Sequence, residues 1–136
     1  MARRTLAGIL WLALLAWASG ILWFSSLAPE QLPDAAFVLS DKVNHFVAFA
    51  IGGWLAASAF HVTRPRATIA SRIVLAVIVV AAFGALDETL QAFTPGRTGR
   101  DIHDWIADFL GAVAGALLIL APQARLSRRA QPRRPQ

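Results

Sequence analysis

Four long apolar segments leave this chain few ways to fold. They cover residues 6–24, 43–60, 69–90 and 102–120 of the 136. Each is roughly 18–22 residues long, which is the length of helix that crosses a hydrocarbon core of about 30 Å. The segments lack the alternation of polar and apolar residues that marks a barrel strand, and backbone groups in lipid must be paired within the protein. The sequence therefore predicts an all-α integral membrane protein, folded as a compact bundle of four transmembrane helices.

The composition agrees with a single membrane domain. The chain is 57% hydrophobic and only 15% charged, whereas a soluble domain is about a quarter charged. Its length suits one domain rather than two, which we assign to residues 1–121. Residues 122–136 are rich in arginine, proline and glutamine, and we expect them to form a disordered, basic cytoplasmic tail. Because there is no cysteine, disulfides and thiolate metal ligands are excluded.

Positive and negative charges lie in different parts of the chain. Ten of the 13 lysines and arginines lie at the N-terminus, around the loop between the second and third segments, and in the tail. All eight acidic residues lie in or near the first and third loops. Because positive charge marks the cytoplasmic side of a membrane protein, we predict a multi-pass protein of the inner (cytoplasmic) membrane with both termini cytoplasmic. The basic tail could then contact anionic lipid of the bilayer, and we expect no nucleic-acid partner.

Three polar clusters lie at the predicted outer ends of the helices, and the first opens the second segment. Asp41 can cap this helix, and Lys42 can extend its ammonium group to the membrane surface. His45 lies one full turn inside the apolar run, on the same helix face as Asp41. An ionisable group at this depth is costly in lipid, so His45 either packs as a structural histidine or has a function.

The second cluster closes the third segment with Asp87, Glu88 and Gln91. Two adjacent carboxylates at the negative end of a helix dipole are unfavourable, so they require a partner or a chemical role. A purely structural alternative is an ion pair with the arginines of the third loop, Arg97 and Arg100. Those guanidinium groups could equally bind a phosphate or a carboxylate, because their planar forks form paired hydrogen bonds.

The third cluster is a row of acids at the start of the fourth segment. Asp101, Asp104 and Asp108 have i, i+3, i+7 spacing, which places them on one helix face. Gly111 and Gly115 continue this face, and small residues four apart let neighbouring helices approach closely. The face with the acids is therefore predicted to point into the bundle. Because the first and third loops lie on one side, the three clusters should meet in an outward-facing polar pocket.

Three blocks of sequence in these clusters together resemble the VanZ-like family. They are DKVNHFVAFAIGGW (residues 41–54), DETLQAFTPGR (residues 87–97) and DWIADFLGAVAG (residues 104–115). The family pattern carries over onto nine positions: Asp41, Lys42, His45, Glu88, Gln91, Arg97, Asp104, Asp108 and Gly111. Many members have asparagine where this chain has Asp108. The resemblance implies a place in the cell envelope with its lipid-linked precursors, and a link to resistance against the glycopeptide antibiotic teicoplanin.

The density of ionisable groups favours an enzyme, and the resemblance implies that it acts on a cell-envelope lipid or its anionic head group. In this hypothesis His45 and Glu88 are general acid or base, and Asp104 orients them or binds a metal. Arg97 clamps the anion. The remaining candidates divide into residues that bind the anion or substrate (Arg100, Lys42 and Gln91) and supporting residues (Asp41, Asp87, Asp101 and Asp108).

Two other functions stay open. A non-catalytic accessory protein could hold an envelope lipid, an antibiotic or a partner protein through its arginines. A proton or ion conductor is less favoured, because the cytoplasmic half of the helices has almost no polar residue for a path. His45 with Asp87, Glu88 or Asp104 could supply metal ligands. No close HxxH or HExxH spacing occurs, however, and we predict no resident metal or other cofactor; the oligomeric state stays open.

Overall fold

The computed structural model describes residues 1–34, 38–97, 99 and 101–121. Within this part the chain is helical, without a β-strand. The four long helices are α1 (Ala2–Ser25), α2 (Asp41–Thr63), α3 (Ile69–Gln91) and α4 (Ile102–Leu117), with 3₁₀ turns at Pro29–Gln31 and Leu118–Leu120. Each helix, α4 together with its following turn, is long and apolar enough to cross a membrane, which confirms the predicted four-helix class.

The apolar segments predicted the starts of α3 and α4 correctly, whereas α1 and α2 begin before their apolar runs. The additional first turns contain polar residues, because a helix that reaches the surface of a membrane needs no apolar side chains there. Residues 35–37, in the loop between α1 and α2, are not among the described residues. Arg100 and the predicted tail, residues 122–136, also lie outside the described residues.

Polar side chains begin α3 and α4. The hydroxyl of Thr68, just before α3, accepts the backbone N–H of Ser71 at 3.1 Å. The carboxylate of Asp101, just before α4, accepts the backbone N–H of His103 at 2.8 Å. Each bond pairs one of the N–H groups that the first turn of a helix leaves without an internal partner. Asp101 therefore fixes the start of α4.

The turn between α3 and α4 requires glycine. Gly96 and Gly99 have positive φ angles of 75° and 43°, which side-chain-bearing residues rarely adopt. A Cβ atom at Gly99 would also lie only 2.3 Å from the backbone nitrogen of Ala92. The turn thus folds directly over the end of α3 and returns the start of α4 to it.

Helices α2 and α4 pack in direct backbone contact through glycines. A Cβ atom at Gly115 would lie 1.8 Å from a backbone oxygen of α2, and one at Gly111 would lie 2.3 Å from another. On α2, a Cβ atom at Gly53 would lie 2.2 Å from a backbone oxygen of α4. No side chain fits at these positions, so the glycines set the separation of the two helices. This is the packing role that the spacing of Gly111 and Gly115 predicted.

Aromatic and small side chains fill the middle of the bundle, with α1 on its outside. Phe49 of α2 is 1% exposed and contacts Trp17 of α1 edge to face, with ring centroids 5.4 Å apart. The Trp17 indole N–H donates to the carbonyl of Ala48 at 2.9 Å, which fixes α1 against α2. Large apolar side chains such as Leu12 and Ile78 point outward, as expected of helices whose outer faces meet lipid.

One end of the bundle, which we call the basic end, contains the N-terminus of α1 and the turn between α2 and α3. The buried guanidinium of Arg72 donates to the carbonyls of Arg64, Pro65 and Ala67 at 2.6–3.0 Å. Arg3 donates twice to a carbonyl in the last turn of α2, at 2.6 and 3.0 Å. The Arg3 bonds pair a carbonyl that α2 leaves open at its C-terminus, and the Arg72 bonds fix the turn that follows α2. A surface cleft of about 420 Å³ also opens here, far from the acidic residues.

Candidate functional site

The opposite end of the bundle brings polar side chains from all four helices into one group, which we call the polar cluster. Its members are Ser25 of α1, Lys42 and His45 of α2, Asp87, Glu88 and Gln91 of α3, and Asp104 and Asp108 of α4. The four carboxylates in it are at most 4% exposed. The three clusters at the ends of α2, α3 and α4 therefore do come together.

His45 and Asp108 form a direct pair between α2 and α4. The imidazole Nδ1 lies 2.9 Å from Oδ1 of Asp108, which is completely buried. The other ring nitrogen, Nε2, lies on the side of the exposed Asp41, 3.9 Å from its nearest carboxylate oxygen. The ring lies parallel to that of Phe49, at 6.4 Å between centroids. The carboxylate thus orients the imidazole and leaves Nε2 as the nitrogen that can reach a substrate.

Lys42 joins the start of α2 to the start of α4. Its ammonium group bonds Oδ2 of Asp101 at 3.0 Å and also bonds the buried Asp104. The bonds from Lys42 and from the backbone N–H of His103 lower the pKa of Asp101, which precedes the membrane-spanning part of α4, to about 2. Asp101 is therefore ionised at neutral pH, and the Lys42 charge already has two carboxylate partners.

Asp87 is bonded on the other side of the cluster, where α3 meets α1. The Ser25 hydroxyl donates to Oδ2 of Asp87 at 2.8 Å. The amide nitrogen of Gln91 donates to the Ser25 oxygen at 3.1 Å and lies 3.4 Å from the same Asp87 oxygen. These bonds are buried, so hydroxyl and amide groups solvate this carboxylate in place of water.

Three buried carboxylate oxygens have no hydrogen-bond partner in the described part of the chain. They are Oδ1 of Asp87, Oε1 of Glu88 and Oδ2 of Asp108. The second oxygen of Glu88 accepts the backbone N–H of Asp101 at 2.9 Å. A buried polar atom without a partner costs free energy, so these oxygens are the positions at which a proton, a ligand or an ion would be most stabilising.

Arg97 contacts the end of α1. Its guanidinium donates to the carbonyls of Leu27 and Phe24 at 3.2 and 3.1 Å, and the neighbouring Thr94 hydroxyl donates to the carbonyl of Ser25 at 3.0 Å. These groups close the C-terminus of α1, where carbonyls lack partners within the helix. The hydrogen bonds found for Arg97 are to main-chain carbonyls, and its predicted role as an anion clamp stays a prediction.

A match to a known protein family identifies the family of this chain. The family model described as VanZ/LLP1 matches residues 9–123. The chain belongs to the VanZ/LLP1 family. The match confirms the resemblance seen in the three sequence blocks. Neither the curated proteins nor the solved structures contain a match to this chain.

The family and the four apolar helices together indicate that this VanZ/LLP1 protein is a multi-pass membrane protein. Of its three predicted catalytic residues, His45 and Glu88 offer ligand atoms to the same small space, while Asp104 is bonded to Lys42. Asp108, predicted to be a supporting residue, is the one that orients His45. The catalytic roles themselves stay predictions.

Two side chains in this VanZ/LLP1 protein were missed at the sequence level. Ser25, the last residue of α1, bonds Asp87 and Gln91 of α3, and Thr94 bonds the end of α1. Both are hydroxyl residues at the ends of apolar runs, and neither has a spacing that connects it to the acids. The only available signal was their position on the predicted outer side of the membrane.

Proposed function

We propose that this VanZ/LLP1 protein lies in the cytoplasmic membrane with its polar cluster facing away from the cytoplasm, and that it acts there on the head group of a cell-envelope lipid. Two features support the orientation. Arginines lie at the basic end, and the acids lie at or beside the polar cluster. Because the cytoplasmic side of a membrane protein is the positive one, the basic end faces the cytoplasm and the partner of the cluster is an outer-leaflet molecule.

The His45–Asp108 pair carries the proposal. A histidine whose Nδ1 contacts a buried carboxylate at 2.9 Å has one orientation and one free nitrogen, which are the requirements of a general acid or base. Glu88 is the second proton-transfer group within reach of the same space. His45 therefore takes the central catalytic role, and Asp108 is its positioning residue.

The surroundings of the cluster suit a lipid better than a soluble substrate. Val43, Phe46 and Val47, on the same turns of α2 as His45, are exposed apolar side chains. A lipid could keep its chains along these residues in the membrane while its head group lies at the starts of α2 and α4. A lipid-linked envelope precursor has this combination of long chains and polar head group.

The interior below the cluster argues against ion conduction. Phe49, Val80 and Ala112 are at most 1% exposed and pack between the polar cluster and the basic end. Among the described residues this apolar layer offers no polar path, and an ion or proton would have to cross it without ligands.

A cellular experiment tests the proposed chemistry. The full chain and its His45→Gln and Asp108→Ala variants are expressed at equal membrane levels in a teicoplanin-susceptible bacterium. We expect the wild-type chain to change the abundance of one envelope lipid class and to raise the teicoplanin concentration needed for inhibition. Loss of a general acid–base group slows a reaction by on the order of 10²–10⁴-fold, so His45→Gln should abolish the lipid change. Asp108→Ala removes the carboxylate that orients the imidazole and should reduce the change.

His103→Gln is the matched control, because His103 is an exposed histidine at the same end of the bundle. It should behave as wild type. Wild-type activity of the His45→Gln variant would refute the catalytic role and leave the non-catalytic accessory function. An unchanged lipid profile with the wild-type chain would refute the assignment to envelope lipids.

A further inference from the structure

Three side chains inside the polar cluster form a group that hydrogen bonds within the protein leave incomplete. His45, Glu88 and Asp108 each offer a ligand atom, and these atoms all lie within 4.8 Å of one another. The side chains come from α2, α3 and α4, so three packed helices hold them in place. Glu88 is 4% exposed and Asp108 is fully buried, which separates the group from bulk water.

Each of the two carboxylates is fixed through one oxygen and leaves the other free. Glu88 is held by the backbone N–H of Asp101 and Asp108 by the His45 ring, both at 2.9 Å. The remaining oxygens, Oε1 of Glu88 and Oδ2 of Asp108, are buried without a hydrogen-bond partner in the described residues. In Glu88 an outer hydrogen bond orients the carboxylate while its other oxygen stays free, which is the usual form of a metal ligand. In Asp108 the contact is with His45, a member of the same ligand group.

The balance of charges in the polar cluster would accommodate a divalent cation. The Lys42 ammonium bonds Asp104, and Asp87 is bonded by a hydroxyl group and an amide. Glu88 and Asp108 have no bond to a lysine or arginine in the part of the chain that the structure describes. The His45 ring pairs with Asp108, and it must be neutral to bind a metal. A divalent cation between them would neutralise two negative charges where the low dielectric makes uncompensated charge expensive.

We propose that His45, Glu88 and Asp108 bind one divalent transition-metal ion of the Zn²⁺ or Mn²⁺ type. One imidazole nitrogen with two carboxylates is a ligand set that such ions accept, and three protein ligands leave a position open for water or substrate. The sequence-based expectation of no metal came from the lack of closely spaced histidines. Ligands that come from three separate helices produce no such motif.

A second group of donors in the cluster is less suitable. Asp41, His45 and Asp104 also place their ligand atoms within 4.8 Å of one another. There, however, the Lys42 ammonium already bonds Asp104, and the Asp41 side chain is 63% exposed. The ion is therefore assigned to the inner group, whose two carboxylates each have one oxygen without a hydrogen-bond partner in the described residues.

Metal content measured on the purified protein tests this inference. The full chain in detergent is stripped with EDTA, dialysed against Zn²⁺ alone or Mn²⁺ alone, and analysed by mass spectrometry for bound metal. We expect about one ion per wild-type chain with at least one of the two metals. The Glu88→Gln and Asp108→Asn variants keep the side-chain shape and lose the charge, so they should bind at least about tenfold more weakly.

Asp87→Asn is the matched control. Asp87 is equally buried, adjacent in sequence to Glu88 and also has an oxygen without a hydrogen-bond partner, yet it belongs to neither group of ligand atoms. This variant should bind the metal as wild type does. Equal loss in all three variants would show that the acids act only through general charge, and would overturn the assignment.

The number of ions bound per wild-type chain tests the proposal independently of the variants. Binding of far less than one ion per wild-type chain, at saturating Zn²⁺ and at saturating Mn²⁺, would overturn the proposal. This result holds even if a variant fails to fold. Size-exclusion chromatography would reveal such a failure. The inference does not rest on the envelope-lipid function, and with an ion bound His45 and Glu88 are metal ligands instead of the free general acid or base. The metal is measured without substrate, so a negative result here leaves the prediction for His45→Gln in cells unaffected.

Discussion

At the scale of single residues, Ser25 shows how one hydroxyl group can connect two helices. It donates to Asp87 and accepts from Gln91 while only 6% exposed. Water therefore cannot replace it easily. Without this hydroxyl, Asp87 would lose its shortest hydrogen bond, and its other oxygen already has no partner in the described chain.

The Ser25→Ala variant should consequently be less stable by about 1–3 kcal/mol, the cost of leaving a buried polar group unsatisfied. Thermal unfolding in detergent, followed by tryptophan fluorescence, measures the change. Ser26→Ala is the matched control, because Ser26 is exposed and bonds only a carbonyl of its own helix. Its effect should stay within about 0.5 kcal/mol. Equal stability of the two variants would contradict the role given to Ser25.

The same residue-scale contacts show what sequence reasoning can reach. The depth of His45 inside an apolar run predicted correctly that it points inward, because a lipid-facing histidine would be costly. The carbonyl contacts of Arg97 were not predictable, since nothing in the sequence indicates that the end of α1 lies beside the third loop. Ser25 was missed for the same reason: its partners are 62 and 66 residues away in the chain.

At the scale of helices, the close contact between α2 and α4 determines where the polar cluster forms. His45 reaches Asp108 because glycines let the two backbones touch one turn or more below. This contact was predictable, since Gly111 and Gly115 repeat every four residues on the face that carries the acids. The contribution of Gly53 was not predicted, because α2 is apolar on most of its faces and offers no comparable pattern.

The Gly115→Ala variant should therefore disturb both stability and site. The new Cβ atom would lie 1.8 Å from a backbone oxygen of α2, so the helices must separate, at a cost of about 1–3 kcal/mol for overpacking. The melting temperature in detergent measures this cost. Gly20→Ala is the control, since a Cβ atom at Gly20 meets no atom within 4 Å. A Gly115→Ala variant as stable as the Gly20→Ala variant would contradict the close α2–α4 contact.

At the scale of the whole molecule, opposite charges lie at opposite ends of one bundle. Arg3 and Arg72 bond helix carbonyls at the basic end, while buried carboxylates fill the polar cluster. The apolar layer around Phe49 separates them. The segregation was readable from the sequence, because helix lengths and charge positions alone assign each loop to a side. The hydrogen bonds within each end depend on tertiary contacts and could not be predicted from the sequence.

The orientation of the bundle is the central claim of the proposed function, because it decides from which side of the membrane a lipid head group would reach the polar cluster. The chain has no cysteine, so single cysteines introduced at Glu30, in the loop between α1 and α2, and at Ala67, between α2 and α3, report on the two sides. A membrane-impermeant maleimide should label Glu30→Cys in intact cells and Ala67→Cys only after permeabilisation. Labelling of Ala67→Cys in intact cells, with Glu30→Cys protected, would contradict the account.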